Sequence, residues 1–491
     1  MTSLADARAL IAAARSAYSI DTYAAATLTE CLERLDQPLR VALAGSLKAG
    51  KSTLLNSLVG QDIAPTDATE CTKVVTWYRS GATPSVTAWY DGDRSAHVPV
   101  QRRGGRLTFD LGDLTAAQVD RLDVEWPART LSQTTIIDTP GTSSLSRDVS
   151  ARTLSMLTPE NSSSGADAVV YLLRTLNATD VSFLGQIGAH VGGESGPLGV
   201  VGVVSRADEV GSGRMDAMMS AKEVAARFAS ELEATGLCQA VVPVAGLLAL
   251  AAETLRQNEF AAFEELSRVP DEDLQLAMLS ADRFSRPGLL PIDPELRASI
   301  VDRFGLFGIR MAITLIKLGV RDSPTLAAEL VERSGLNELR SVIDVQFGQR
   351  ADQLKLHSAL VALQRTLEAR PIAESAAFRA EAGRMLADVH GFQELRLLGR
   401  MRSTAPKLPE PDLAELHRLI GGFGIDASAR LGLGPDAGLT ERRDAALGAV
   451  QKWRRLSEHP LLDQFTSRAC AVAARSAEGI VAAPLTGGEA A

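Results

Sequence analysis

Residues 40–45, RVALAG, are an apolar run that passes directly into Gly45-Ser46-Leu47-Lys48-Ala49-Gly50-Lys51-Ser52 and then into a helical pattern, TLLNSLVG. Strand, glycine-rich turn, lysine and helix in this order predict a phosphate-binding loop. Its backbone N–H groups, from Gly45 through Thr53, would cradle phosphate oxygens at a helix N-terminus. Lys51 would reach the β- and γ-phosphates, and the Ser52 hydroxyl would ligate Mg²⁺. Such a loop belongs at the end of a strand in a parallel sheet, so it constrains the fold as much as the chemistry.

The surrounding pattern agrees. Between residues 39 and 246 short apolar runs alternate with polar stretches: KVVTWY (73–78), SVTAWY (85–90), RLDVEW (121–126), TTIIDTP (134–140), ADAVVYLLR (166–174), GVVGVVS (199–205) and AVVPVAG (240–246). These predict strands buried on both faces of a mostly parallel sheet with helices on either side. Residues 4–36 have helical spacing, read as one helix closed by Pro38. After 247 the strand pattern stops. The stretch 332–370 reads as one long helix after Gly335. A proline-rich break at 400–412 and a glycine-rich one at 421–438 precede two closing helices, 439–456 and 460–482, with Pro460 in a first helical turn. The expected division is 1–37, an N-terminal neck helix; 38–345, the nucleotide-binding domain with a helical insert at about 250–330; and 346–491, a helical neck or stalk.

Two further motifs complete the site. Asp138 ends the run TTIIDTPG, where an acidic residue orders Mg²⁺ and the Gly141 N–H can meet a γ-phosphate. Downstream, Ser205-Arg206-Ala207-Asp208 ends another strand. The Asp208 carboxylate would accept from N1–H and the 2-amino group of guanine, a donor pair that adenine lacks, so GTP is expected over ATP. Arg206 stands where a lysine usually packs on the base, and its flat guanidinium can stack there. Ala245, after the run 240–244, would give a backbone contact to the base. Between the first two motifs, Thr72 is the expected threonine that closes over Mg²⁺ and the γ-phosphate, with Thr69 as the alternative.

Composition removes several other functions. The chain has 491 residues and a formal net charge of −9, which argues against a broad nucleic-acid surface. Cys31, Cys71, Cys238 and Cys470 are far apart and suit a reducing compartment rather than a disulfide framework, and neither they nor the six histidines have metal-ligand spacing. The first ten residues, MTSLADARAL, lack a signal-peptide pattern, and the most apolar later stretch, 303–319, carries Arg310 and Lys317. No transmembrane segment is expected.

Taken together, GSLKAGKSTLLNSLVG, TECTKVVT, IIDTPG and VSRAD resemble the bacterial dynamin-like GTPases, in particular their isoniazid-inducible group. The resemblance implies a cytoplasmic enzyme, peripherally associated with the inner membrane. It implies GTP-dependent self-association through the GTPase domain, remodelling of membranes, and a neck in which the first helix packs with C-terminal helices. RSGLNELR (333–340) looks like the hand-over from GTPase domain to neck. Dynamins usually carry Gln then Ser where this chain has Leu47 and Lys48. Leu47 cannot position a water. Lys48 either supplies positive charge in place of an ion, as a catalytic residue beside Lys51 and Thr72, or is a solvated loop lysine. That departure keeps a second reading open, a weakly hydrolysing GTP-binding scaffold that partners a larger dynamin-like protein. A ribosome-assembly GTPase is a third reading, disfavoured by the acidic balance. Arg396, Arg400, Arg402 and Lys407 with Leu397, Leu398 and Met401 form an expected tip, within 396–412, that either meets anionic lipid or is a solvated loop.

Overall fold

The computed structural model describes residues 4–66, 74–92, 94–103, 106–141, 153, 156–157, 165–191, 199–233, 237–288, 290–388, 390–403 and 405–482. Thr69 and Thr72 lie outside the described residues.

Eleven strands are described: β1 (Leu39–Gly45), β2 (Thr76–Ser80), β3 (Ser85–Tyr90), β4 (Arg94–His97), β5 (Val100–Arg103), β6 (Arg106–Phe109), β7 (Val119–Trp126), β8 (Thr134–Asp138), β9 (Ala168–Leu173), β10 (Val200–Ser205) and β11 (Ala240–Val244). Nine form one sheet in the order β11-β10-β9-β1-β8-β2-β7-β3-β4, and β5 pairs with β6 as a separate hairpin. From β11 to β8 every neighbour is parallel. Beyond β8 the sheet is mixed: β2 runs antiparallel to β8 and parallel to β7, and β3 is antiparallel to both β7 and β4. The expectation that all the apolar runs are buried on both faces therefore holds for the central strands but not for this edge. There, β3 alternates half-buried and buried positions over its first four residues and β7 mixes buried, half-buried and exposed ones, the pattern of strands with one wetter face.

The central strands divide their side chains between two cores. Val41, Leu43, Val170 and Leu172 face one side with the N-terminal helices; Ala42, Ala44, Val169 and Tyr171 face the other with Phe183, Leu184 and Phe228. The N-terminal segment is two helices rather than one, α1 (Leu4–Ala17) and α2 (Thr22–Asp36). Asp21 breaks it by accepting from the Ala24 N–H at 3.1 Å, which caps α2. Both pack with the helix Ala351–Ala369, and the three share the core of the sheet's first face.

Helices from Gly246 to Leu336 build a second core around Phe260, Phe263, Phe304 and Phe307. The pattern read as one long helix after Gly335 does begin there and is broken once. Gly335 is left-handed (φ +80°) between Ser323–Arg333 and Leu336–Ile343, and a π-helical turn, Asp344–Gly348, separates the latter from Ala351–Ala369. The remaining helices, including His390–Ser403, Glu410–Leu419, Leu439–Ser457 and Gln464–Ala482, enclose a core with Trp453 at its centre. Pro460 lies in the turn before the last of them, not in its first helical turn. Leu397 and Leu398, expected at an exposed tip, are buried in this core, because the apolar stripe of their helix faces other helices. The side chains of Arg396 and Arg402 fall outside the described set. No described helix is long and apolar enough to cross a membrane.

Candidate nucleotide site

Every position of β1 is buried, so the strand delivers Gly45 to the sheet's carboxyl edge with no freedom to slide. The loop then turns through Lys48, a non-glycine residue held left-handed at φ +60°, and Gly50 opens helix α3 (Lys51–Val59). Left-handed backbone at a lysine is strain of the kind that collects at ligand clamps. Lys51 is buried, and its Nζ donates to the Gly45 and Ser46 carbonyls, each at 3.1 Å. Burial holds its pKa below the ordinary lysine value, partly opposed by the nearby Asp138 charge.

Asp138, the last residue of β8, sits beside the loop because β1 and β8 are parallel with Leu43 opposite Asp138. Ser52 Oγ donates to its Oδ2 at 2.6 Å. Burial raises the Asp138 pKa, against the pull of Lys51 and Ser52. Its other oxygen, Oδ1, is buried without a hydrogen-bond partner. A buried carboxylate oxygen left unpaired next to a serine hydroxyl is a donor set that suits a hard divalent cation such as Mg²⁺. The segment after it is fastened to β1 by Thr139 Oγ1, which donates to the Leu43 carbonyl at 2.8 Å, and Thr153 Oγ1 donates back to the Pro140 carbonyl at 3.0 Å. A Cβ on Gly141 would lie 2.7 Å from the Leu47 Cα, so only glycine lets this loop touch the phosphate loop.

A pocket opens beside the loop between Thr53, Leu172, Ser205, Asp208 and Leu247. Asp208 is buried, and burial is the chief cause of its raised pKa. Arg206 lines this pocket and is anchored by the edge of its guanidinium. Its Nη2 donates to the Lys48 carbonyl at 3.1 Å and its Nη1 to Glu209 Oε1 at 2.8 Å, tying the pocket's lip to the phosphate loop. Ala245 differs from the expected base contact. Its N–H donates to the Ser334 carbonyl and its carbonyl accepts from the Ala249 N–H, both at 2.9 Å, so Gly246 and Leu247 line the pocket instead. The structure thus brings Gly45 to Thr53, Asp138, Gly141, Ser205, Arg206 and Asp208 to one edge of the sheet. Glu209, three residues after Arg206 in the sequence, was legible as its ion-pair partner only through that spacing. Arg340 closes RSGLNELR, the stretch read as the hand-over to the neck, but nothing in that stretch marked its partners. It donates to the Ser57 carbonyl at 3.0 Å at the far end of α3 and pairs with Glu253 at 2.8 Å.

A central parallel sheet carrying a phosphate loop, an acid at the neighbouring strand end and a base pocket defines a P-loop GTPase domain, and the chain belongs to the dynamin family. The dynamin family profile matches residues 41–184. The chain is 56% identical over 450 residues to the isoniazid-induced protein IniC of Mycobacterium tuberculosis, covering 91% of both chains. It is 32% identical over 113 residues to a bacterial dynamin-like protein of Nostoc punctiforme, which is 21% of this chain and 16% of that one. It is 35% identical over 158 residues to the isoniazid-induced protein IniA of M. tuberculosis, 30% of this chain and 23% of that one. Among solved structures, an oligomerised bacterial dynamin pair described as sensing and tethering membranes aligns over 97% of this chain and 72% of its own, at 14% identity and a TM-score of 0.32.

Proposed function

We propose that this chain hydrolyses GTP to GDP and phosphate, and couples that cycle to self-association through its GTPase domain and to remodelling of the bacterial inner membrane by fission, fusion or tethering. The observation that carries the reading is the Ser52–Asp138 hydrogen bond with the unpaired Asp138 Oδ1 beside it, on the strand next to the phosphate loop.

In this reading the loop N–H groups from Gly45 to Thr53 bind the phosphates. Lys51 leaves its two carbonyl partners for the β- and γ-phosphate oxygens. Mg²⁺, when bound, neutralises charge between those phosphates; Ser52, Asp138 and Thr72, or Thr69 in its place, would hold it. Asp208 reads the guanine edge, with Ser205 at the base of the pocket. Arg206 holds the pocket to the loop. Gly141 carries the presence of the γ-phosphate into the segment that follows it. Lys48 would add positive charge near the transferring phosphoryl group. The segment 1–37 and the helices after 345 act as the neck, and the membrane contact is peripheral. The reading includes no nucleic acid.

Asp208→Asn tests the base assignment. An Asn amide can donate to the extra carbonyl of xanthine and no longer matches the two guanine donors. The variant is expected to lose affinity for GTP and gain it for xanthosine triphosphate, measured by competition against a fluorescent GTP analogue; an unchanged preference would move the base elsewhere.

The whole reading is tested by GTP turnover across protein concentration, with and without vesicles containing anionic lipid. A rate per molecule that rises with concentration or vesicles is the expected result. Leu47 supports the second reading, a weakly hydrolysing scaffold that partners a larger dynamin-like protein. It is half-exposed beside Gly141 and has no polar group to orient a water. GTP binding with negligible turnover under every condition would select that reading.

A further inference from the structure

The C-terminal helices hold a second cavity, far in sequence from the nucleotide site. It lies between His390–Ser403 and Gln464–Ala482 and has a volume of about 470 Å³, within the range of roughly 300–1,000 Å³ usual for small-molecule sites. On the last helix, Phe465, Arg468, Val472 and Arg475 recur at steps of three and four and so share one face. Leu397 and Arg400, three residues apart on the other helix, meet them across the groove. The floor is apolar, and the rim carries three arginines with no acidic side chain in the lining, in a chain whose net charge is −9. The Arg400 guanidinium lies 4.5 Å above the Phe465 ring. Arg468 and Arg475 are exposed and make no ion pair among the described residues. The acid nearest in sequence, Glu394, is turned away and bound inside the bundle by Arg430 at 2.7 Å and Ser476 at 2.7 Å.

The geometry points to a site for one anionic lipid, with its phosphate on Arg400, Arg468 and Arg475 and an acyl chain along Leu397, Phe465 and Val472. A free phosphate would use the rim and leave the apolar floor wet. An uncharged apolar ligand would use the floor and leave the exposed Arg468 and Arg475 guanidinium groups with no anion to meet. An amphiphile with a phosphate head satisfies both. The inference rests on the membrane reading above and names its ligand. It also moves the lipid contact from a tip at 396–412 to the groove that Leu397 helps to floor.

The test uses the full chain. Short-chain phosphatidic acid, below its micelle-forming concentration, and inorganic phosphate are titrated calorimetrically. Binding is also measured by pelleting with vesicles of phosphatidylcholine alone, or with an equal part of phosphatidylglycerol. Saturable binding of the short-chain lipid, much weaker binding of phosphate, and pelleting only with the anionic vesicles are expected. Arg468→Ala with Arg475→Ala should weaken lipid affinity about thirtyfold, at roughly fivefold per cation near an anionic surface. Val472→Glu should also abolish the short-chain binding, and unchanged GTP binding in both variants reports an intact fold. A double variant that binds lipid and vesicles like the parent overturns the groove and leaves the membrane reading standing. A parent that binds the soluble lipid but no vesicle supports the groove and overturns the membrane reading. Phosphate binding as tight as lipid binding overturns the lipid assignment. So does a double variant that loses self-association but keeps its lipid, because the groove then takes a second copy of this chain.

Discussion

Lys51→Ala will bind GTP more weakly by about 2–5 kcal/mol, roughly thirtyfold to several thousandfold in Kd, the usual cost of removing one side of a buried charge pair. The Lys51 ammonium has already given up its hydration and is held in the loop by two neutral carbonyls, so most of its value is realised only when phosphate arrives. The melting temperature of the nucleotide-free protein should therefore change little. Calorimetric titration with GTP and a thermal melt on the same sample separate the two effects. Parent-like affinity would show that the loop does not hold the phosphates.

Gly335→Ala will destabilise the fold and weaken GTP binding together. Gly335 is left-handed, and a Cβ there would sit 2.2 Å from the Pro243 carbonyl oxygen. A non-glycine residue in that conformation costs about 1–2 kcal/mol before any clash. At about 2–4 °C per kcal/mol, the strain alone should lower the melting temperature by roughly 2–8 °C, and the clash adds to this fall. The nucleotide effect follows from the neighbour, because Ser334 accepts the Ala245 N–H at 2.9 Å and so fixes the end of β11 beside Gly246 and Leu247 of the base pocket. Gly335→Asn should do no better. Asparagine tolerates the left-handed backbone, yet its Cβ meets the same oxygen. Full rescue by Asn, read in the same melt, would mean that strain rather than the close approach makes glycine necessary.

What could be read from the sequence was whatever local chemistry determines. The phosphate loop and the acid of TTIID each combine a required residue type with a strand end, and both lie where the pattern placed them. The central strands were legible because burial on both faces demands an unbroken apolar run. The neighbours of Ala245 and Arg206 were not, since a backbone N–H claimed by Ser334 and a guanidinium claimed by Lys48 are decided by residues far along the chain. β4, with sequence RSAH, has almost no apolar content and is a strand only because β3 offers it an edge. The break at Asp344–Gly348 left no trace because a π-turn keeps helical backbone and needs no proline. The stripe containing Leu397 was ambiguous in principle: an apolar helical face facing lipid and one facing another helix are written in the same residues.

The Arg340 clasp gives α3 a mechanical meaning. That helix has nine residues, a rod about 13 Å long at 1.5 Å per residue, with the phosphate loop at one end and the Ser57 carbonyl gripped by Arg340 at the other. A hydrogen-bonded helix barely shortens along its axis, so it acts as a pushrod. Arg340 belongs to the short helix that leads through the π-turn into Ala351–Ala369, an arm about 28 Å long. A small tilt imposed where the rod meets the arm is swept out over more than twice the rod's own length.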